Sequence, residues 1–286
     1  MGSLLPLSQF ELLADGLDHP ECVTWGPDGF VYAGGEAGQI YRVGLDGGVH
    51  QVGSTGGFVL GLCLDGDGNV YACDSANAAI MRVTPDGEVS TYFAGLDGRR
   101  LVSPNYPVFD RSGNLYFSES GEYHRDNGRL WVVRPDGTGQ VLRDDVNSFP
   151  NGVALDRGDQ SLYVALSALP GIARVPLGGG RVEVVAELPK RVPDGIALDS
   201  EGAIYVACYA PDEILRITVD GRLEVVAADW ERVVLAAPTN VAFCGPHLDV
   251  LVVASLGRWH LTKTTVAVPG RPYHYPRLGG LAAVPG

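Results

Sequence analysis

The chain has 286 residues, 45% of them hydrophobic and 19% charged, a globular composition long enough to bury a large core. Its formal net charge of −13 argues against sequence-independent nucleic-acid binding, which needs a surplus of Lys and Arg, and against docking on anionic membranes. The 39 glycines and 19 prolines are spread along the chain, so they announce many tight turns and many short strands.

Met1 to Phe10 carries no basic stretch followed by an apolar run, so no secretion signal is expected. No apolar run approaches the roughly 18 residues a membrane helix needs. Cys22, Cys63, Cys73, Cys208 and Cys244 are odd in number, scattered and without a CxxC pair. They are expected to be reduced core residues of a cytoplasmic protein.

Internal repetition organises the rest. One phrase recurs: an apolar strand, a turn built on Asp-Gly or a relative, a second strand ending near Tyr, then a third and a fourth strand. Its copies run His19–Gly47, Leu60–Gly87, Pro104–Gly137, Pro150–Gly180 and Pro193–Gly221, with a worn sixth from Pro238 to Gly257. The period of about 39 to 45 residues is that of one four-stranded propeller blade. Six copies predict an all-β fold: a single six-bladed β-propeller over residues 1–268, with four-stranded antiparallel blades around a central channel. Ahead of the first copy, Phe10-Glu11-Leu12-Leu13 resembles the outer strands Val184-Val185-Ala186 and Val225-Val226-Ala227. It is predicted to pair with the last blade and close the ring, which removes exposed edges. The tail from Pro269 to Gly286 has no repeat partner and is expected to be partly disordered.

Aligned on the turn and the Tyr, the copies begin their first strands with Glu21, Leu60, Asn105, Asn151, Asp194 and Asn240, with Pro20, Pro104, Pro150 and Pro193 directly before four of them. The first strand of a blade lines the channel, so repeat symmetry aims these side chains at one axis. Two carboxylates and several amide oxygens on an axis make an oxygen-rich cage for a hard cation. Empty, the carboxylates repel each other. The expected cofactor is one divalent ion: Ca²⁺ suits the oxygen set best, and ligand type leaves Zn²⁺, Mn²⁺ and Mg²⁺ open. The other reading of the ring is a merely hydrated channel.

The copies PNYPVFDRSGNLYFSES, FPNGVALDRGDQSLYVA and VPDGIALDSEGAIYVACY resemble the gluconolactonase/regucalcin (senescence marker protein) family of six-bladed propellers, over nearly the whole chain to about residue 260. The resemblance implies a metal held by Glu21, Asn151 and Asp194, with Asn105 beside it near the substrate, and hydrolysis of sugar lactones or other small cyclic esters. The family commonly has Asp after the third-blade Asn, where this chain has Tyr106. That exchange sets a sugar-like substrate in question and is expected to make the pocket more apolar and aromatic.

On this reading a small-molecule lactone is opened with metal assistance, Asp194 acting as general base and Asn105 donating to the developing oxyanion. No GxSxG or HExxH offers a rival hydrolase centre. A lyase, isomerase or cyclase at the same centre, towards which Tyr106 leans, and a non-catalytic binding propeller are the alternatives. Further candidates for the substrate pocket are His124 and Glu119 in or beside the third-blade insertion SESGEYHRDNG, with Glu122 and Arg125, as well as Tyr209 and Asn240. Asp74 and Ser75 hold a similar place in blade two. Of the tryptophans, Trp25 and Trp131 are expected in the core; Trp230 and Trp259 also fall at strand-like positions.

Overall fold

The computed structural model describes residues 2–278. Six four-stranded antiparallel sheets stand around one axis, as the repeat predicts. Blade 1 comprises Val23–Trp25, Val31–Gly34, Gln39–Val43 and Val49–Ser54, and blade 2 Val59–Leu64, Val70–Asp74, Ala79–Val83 and Val89–Phe93. Blade 3 is Pro104–Phe109, Leu115–Glu119, Arg129–Val133 and Gly139–Arg143; blade 4 is Pro150–Leu155, Ser161–Leu166, Gly171–Pro176 and Glu183–Glu187. Blade 5 is Val192–Leu198, Ile204–Ala210, Asp212–Ile217 and Leu223–Ala228. Blade 6 takes Pro238–Cys244, Val250–Ser255 and His260–Thr265 from the end of the repeat and Glu11–Ala14 from its beginning. Glu11 pairs with Lys263 and Leu12 with Thr262, so the predicted latch is a hydrogen-bonded closure of the ring.

The hairpins follow from a side chain that replaces backbone partners. Asp65, at the end of the inner strand of blade 2, accepts the N–H groups of Asp67 and Asn69; Asp110 accepts those of Ser112 and Asn114 in blade 3. Such a turn needs a left-handed residue three places after the Asp. Gly113 supplies it in blade 3 at φ 87°, and Asp159 takes it in blade 4 at φ 54°.

The core lies between blades. Between blades 2 and 3, Trp131 stacks on Phe117 at 6.2 Å, and Phe93 meets both rings edge-on. Trp25 and Trp131 are buried as expected, whereas Trp230 is 88% exposed and Trp259 stands at the surface. All five cysteines are free thiols, four of them buried. Among the described residues no helix is long and apolar enough to cross a membrane.

Of the tail, residues 269–278 are described, while residues 279–286 lie outside the described residues. It forms a strap across the end of the channel where the inner strands finish. The carbonyl of Pro269 accepts from Ser200, the N–H of Arg271 donates to Leu198, and Gly66 donates to Pro276. Tyr273 accepts the N–H of Phe243 at 3.1 Å, Tyr275 donates to the carbonyl of Trp25 at 2.6 Å, and Arg271 donates to that of Leu155 at 2.7 Å. With Leu278 packed beside Gly113, the strap touches all six blades. A segment without repeat pattern is ordered here because it fills the channel end that the repeat leaves open, with burial pushing both tyrosine phenols up.

Candidate active site

At the opposite end of the channel the inner strands begin. Each of blades 2 to 5 carries an irregularity there: Pro104 pairs with Glu119 but Pro107 with Phe117, Pro150 with Leu166 but Val153 with Val164, Pro193 with Cys208 but Ile196 with Val206. The residue after the proline therefore leaves the ladder, as in a bulge, and turns off the sheet. This register places Glu21, Leu60, Asn105, Asn151 and Asp194 at one level.

In blade 6 the register corrects the alignment. Pro238 pairs with Ser255 and Asn240 with Ala254, so Thr239 is the sixth member of the level and Asn240 lies one layer deeper, with Gly152 and Gly195. The signal was present, since Pro238 precedes Thr239 as proline precedes four of the others. A Cβ on Gly195 would lie 2.0 Å from Nδ2 of Asn240, so this glycine admits the asparagine. Thr239 Oγ1 is buried with no hydrogen-bond partner among the described residues.

Tyr106 also sits one layer down. Its N–H donates to Ser118 Oγ at 3.1 Å, and its hydroxyl reaches across the axis to the Val23 carbonyl and Asn240 Oδ1, each at 3.4 Å. Its ring is buried in the largest core cluster. The expected aromatic wall is a floor: Tyr106 separates the carboxylate level from a cavity of about 90 Å³ that it lines together with Leu62, Val153, Tyr273 and Tyr275.

The asparagines are oriented by serines that bridge blades. Asn105 donates an amide hydrogen to Ser120 Oγ at 2.9 Å, and Ser120 donates to the carbonyl of Pro150 at 2.8 Å. Asn151 donates to Ser167 Oγ at 3.3 Å, and Ser167 to the carbonyl of Pro193 at 2.7 Å. With the NH₂ groups tied back, both amide oxygens are free of these contacts. Each NH₂ keeps one further hydrogen.

Glu21 is pushed up to about 7, chiefly by burial and then by Glu36, against a lowering by His19. Asp194 is raised well above the usual carboxylate range by burial and then by Glu21, against a hydrogen bond with Asn151. The structure thus brings Glu21, Asn151 and Asp194 into one site. Two carboxylates that resist joint ionisation, with an amide oxygen beside them, fit a hard divalent cation by donor chemistry.

Glu36 was missed by sequence reasoning. It follows the second strand of blade 1 as Ser120 and Ser167 follow theirs, and its repeat position was the available signal. Its Oε2 lies 2.8 Å from His19 Nδ1, which lies 2.9 Å from Asp18 Oδ1. The ligand atoms of Asp18, His19 and Glu36 fall within 4.8 Å of one another. His19 Nδ1 thus lies between the two carboxylates, in a cluster on the rim.

The remaining candidates separate. Glu119 is buried and both its oxygens are engaged: Oε1 accepts the N–H of Val102 at 2.6 Å and Oε2 the indole N–H of Trp131 at 2.7 Å, with Arg129 at 3.5 Å. Asp74 is spent in the same way on Phe58 and Asn77. These bonds pin blade ends together. Glu119→Ala is therefore expected to cost about 2–4 kcal/mol in urea unfolding, because it strands the Val102 N–H, the buried Trp131 indole and the mostly buried Arg129 guanidinium. A variant that kept its stability but lost turnover would contradict this. His124 is exposed, at φ 61°, in the insertion Ser120–Gly128, where its ring stacks edge-on against Tyr123 at 4.2 Å. Tyr209 is partly exposed at the mouth, its phenol raised by burial and then by Tyr123, Asp194 and Glu21.

Comparison with known proteins adds the ancestry. Residues 19–257 match the family model described as SMP-30/Gluconolactonase/LRE-like region. A gluconolactonase of Zymomonas mobilis is 28% identical over 186 residues, which are 56% of this chain and 51% of that protein, so the match spans about half of that relative. A lactonase drp35 of Staphylococcus saprophyticus is 23% identical over 277 residues, covering 75% of this chain and 85% of its own. The solved structure of a calcium-binding protein, regucalcin, from Agrobacterium tumefaciens superposes with a TM-score of 0.78 at 19% identity, over 97% of this chain and 100% of that one, a likeness of fold. The repeat, the closed ring and the matched span together make this chain a member of the SMP-30/gluconolactonase/LRE-like family.

Proposed function

We propose that the protein is a metal-dependent lactonase that opens a cyclic ester, of a sugar acid or another small molecule, at Glu21, Asn151 and Asp194. The observation that carries this reading is the meeting of two mutually repelling carboxylates with an amide whose oxygen is left free by Ser167. Glu21, Asn151 and Asp194 would hold a divalent cation, with Ca²⁺ the best match to oxygen ligands, and such an ion would supply Lewis acidity towards an ester carbonyl and water. Asp194 has a second carboxylate oxygen with which to take the proton of the attacking water as general base. Asn105 offers the amide hydrogen that Ser120 leaves unused to the developing oxyanion. Tyr106 closes the floor, so substrate and water arrive from the mouth alone. The names of the gluconolactonase and lactonase relatives support the ester chemistry. The five free cysteines accord with a reducing, cytoplasmic setting.

The test is ring opening of a lactone panel before and after EDTA, with Ca²⁺, Mn²⁺, Zn²⁺ or Mg²⁺ restored. The expected result is loss on chelation and recovery with one of the ions. Turnover indifferent to EDTA removes the metal from the mechanism, and absence of turnover with every ion removes the lactonase. A lyase, isomerase or cyclase at this centre was favoured by an apolar Tyr106 wall, and the burial of Tyr106 withdraws that support.

A further inference from the structure

Above the carboxylates the rim is aromatic, and the repeat register explains why. His19 and Phe149 directly precede Pro20-Glu21 and Pro150-Asn151, so each carries a ring at the approach to a ligand residue. His19 packs on Trp259 with centroids 4.2 Å apart, and Phe149 meets Tyr123 edge-on at 4.9 Å. In blade 5, Tyr209 takes the place that Ser120 and Ser167 hold in blades 3 and 4: it follows Cys208, which pairs with Pro193 next to Asp194. In blade 2, Phe58 stands at the approach and Leu60 at the ligand level itself.

These rings face outward. Tyr123, Tyr209 and Trp259 are 45%, 37% and 46% exposed. His19, Phe149 and Trp259 hold left-handed backbone at φ 41°, 54° and 57°, a conformation that bulky residues adopt at a cost. Three polar groups beside the asparagines are meanwhile committed. Ser120 and Ser167 each accept from an asparagine and donate to a proline carbonyl, and Glu119 has both oxygens occupied. A polyol lying against the rim, outside the ligand level, would find none of these three free, and each hydroxyl left unpaired lowers affinity. A flat apolar ring would instead find aromatic faces and edges.

We propose that the rim selects lactones bearing an aryl substituent, which lies against Tyr123 and Tyr209 while the cyclic ester reaches the Glu21–Asn151–Asp194 centre. This substrate class rests on the lactonase reading. The phenol of Tyr209 feels Tyr123, Asp194 and Glu21, which puts Tyr209 within electrostatic reach of both Tyr123 and the centre.

The test compares γ-phenyl-γ-butyrolactone, γ-butyrolactone and glucono-1,5-lactone by kcat/KM, and adds calorimetric binding of the phenyl-bearing lactone to the EDTA-treated protein. The phenyl-bearing lactone is expected to be preferred over γ-butyrolactone by roughly tenfold or more. That ratio is expected to fall several-fold in Tyr209→Ala and in Tyr123→Ala and to survive in Tyr209→Phe, which keeps the ring. Both positions are exposed, so folding tolerates the exchanges. A glucono-1,5-lactone preference, or a ratio unmoved by both alanine variants, overturns the aryl class and leaves the lactonase standing. If no lactone is opened with any ion, the lactonase fails separately; the rim assignment is then upheld by binding that Tyr209→Ala abolishes and overturned by absence of binding.

Discussion

Asp194→Asn is expected to abolish lactone turnover, by a factor of about 10³ or more, and at the same time to make the metal-free protein more stable at pH 8. The first effect follows from the loss of a ligand and base together. The second follows from the raised carboxylates. Glu21 titrates at about 7 in the fold against an ordinary 4.5, and Asp194 is raised as well. Below about pH 4.5 both states hold the Glu21 proton and nothing is lost. Between about 4.5 and 7 the Glu21 of the unfolded chain ionises while the fold resists, so the stability of the metal-free protein falls as pH rises, and above 7 the Glu21 contribution is fully lost. Removing one charge relieves on the order of 1–3 kcal/mol. Thermal unfolding in EDTA from pH 4 to 8.5 reads the slope, which flattens in Asp194→Asn and in Glu21→Gln. Added divalent ion raises the melting temperature of the parent by mass action and leaves both variants nearly unmoved. A parent-like ion response in both would end the ligand assignment.

Removal of residues 269–286 is expected to lower the melting temperature by on the order of 10 °C, as several kcal/mol would in a domain of this size. The strap fills the channel with Tyr273 and Tyr275, and their hydrogen bonds to Phe243 and Trp25 tie blades 6 and 1. Gly66, Leu155, Leu198 and Ser200 lose strap contacts as well. Tyr275→Ala alone is expected to cost about 2–4 kcal/mol by chemical denaturation, since the channel wall cannot collapse into the space. The strap and the carboxylate level sit at opposite ends of the inner strands, so KM measured well below the melting temperature is expected to hold in the truncated protein. A rise in KM with no loss of stability would mean that the strap serves the site and not the ring.

Everything that repeats was legible in the residues alone. Local turn chemistry at Asp65 and Asp110, a fixed period and apolar strand runs specify a blade, and six blades specify a ring. Equivalent positions on a ring must converge, which is why Glu21, Asn151 and Asp194 could be named together although they lie far apart in the chain. Tertiary structure decided what departs from the repeat. The bulge after Pro238 set Thr239 and not Asn240 at the ligand level, because register depends on pairing with Ser255 and Ala254 across the blade. The side chain of Tyr106 turned into the channel because Asn240 and the Val23 carbonyl, from two other blades, receive its hydroxyl there. The tail gained order only from a cavity that six separate blades enclose. Periodicity is a local property of a chain, whereas depth in the channel, orientation of an amide and the filling of a hole depend on neighbours that sequence order does not place side by side.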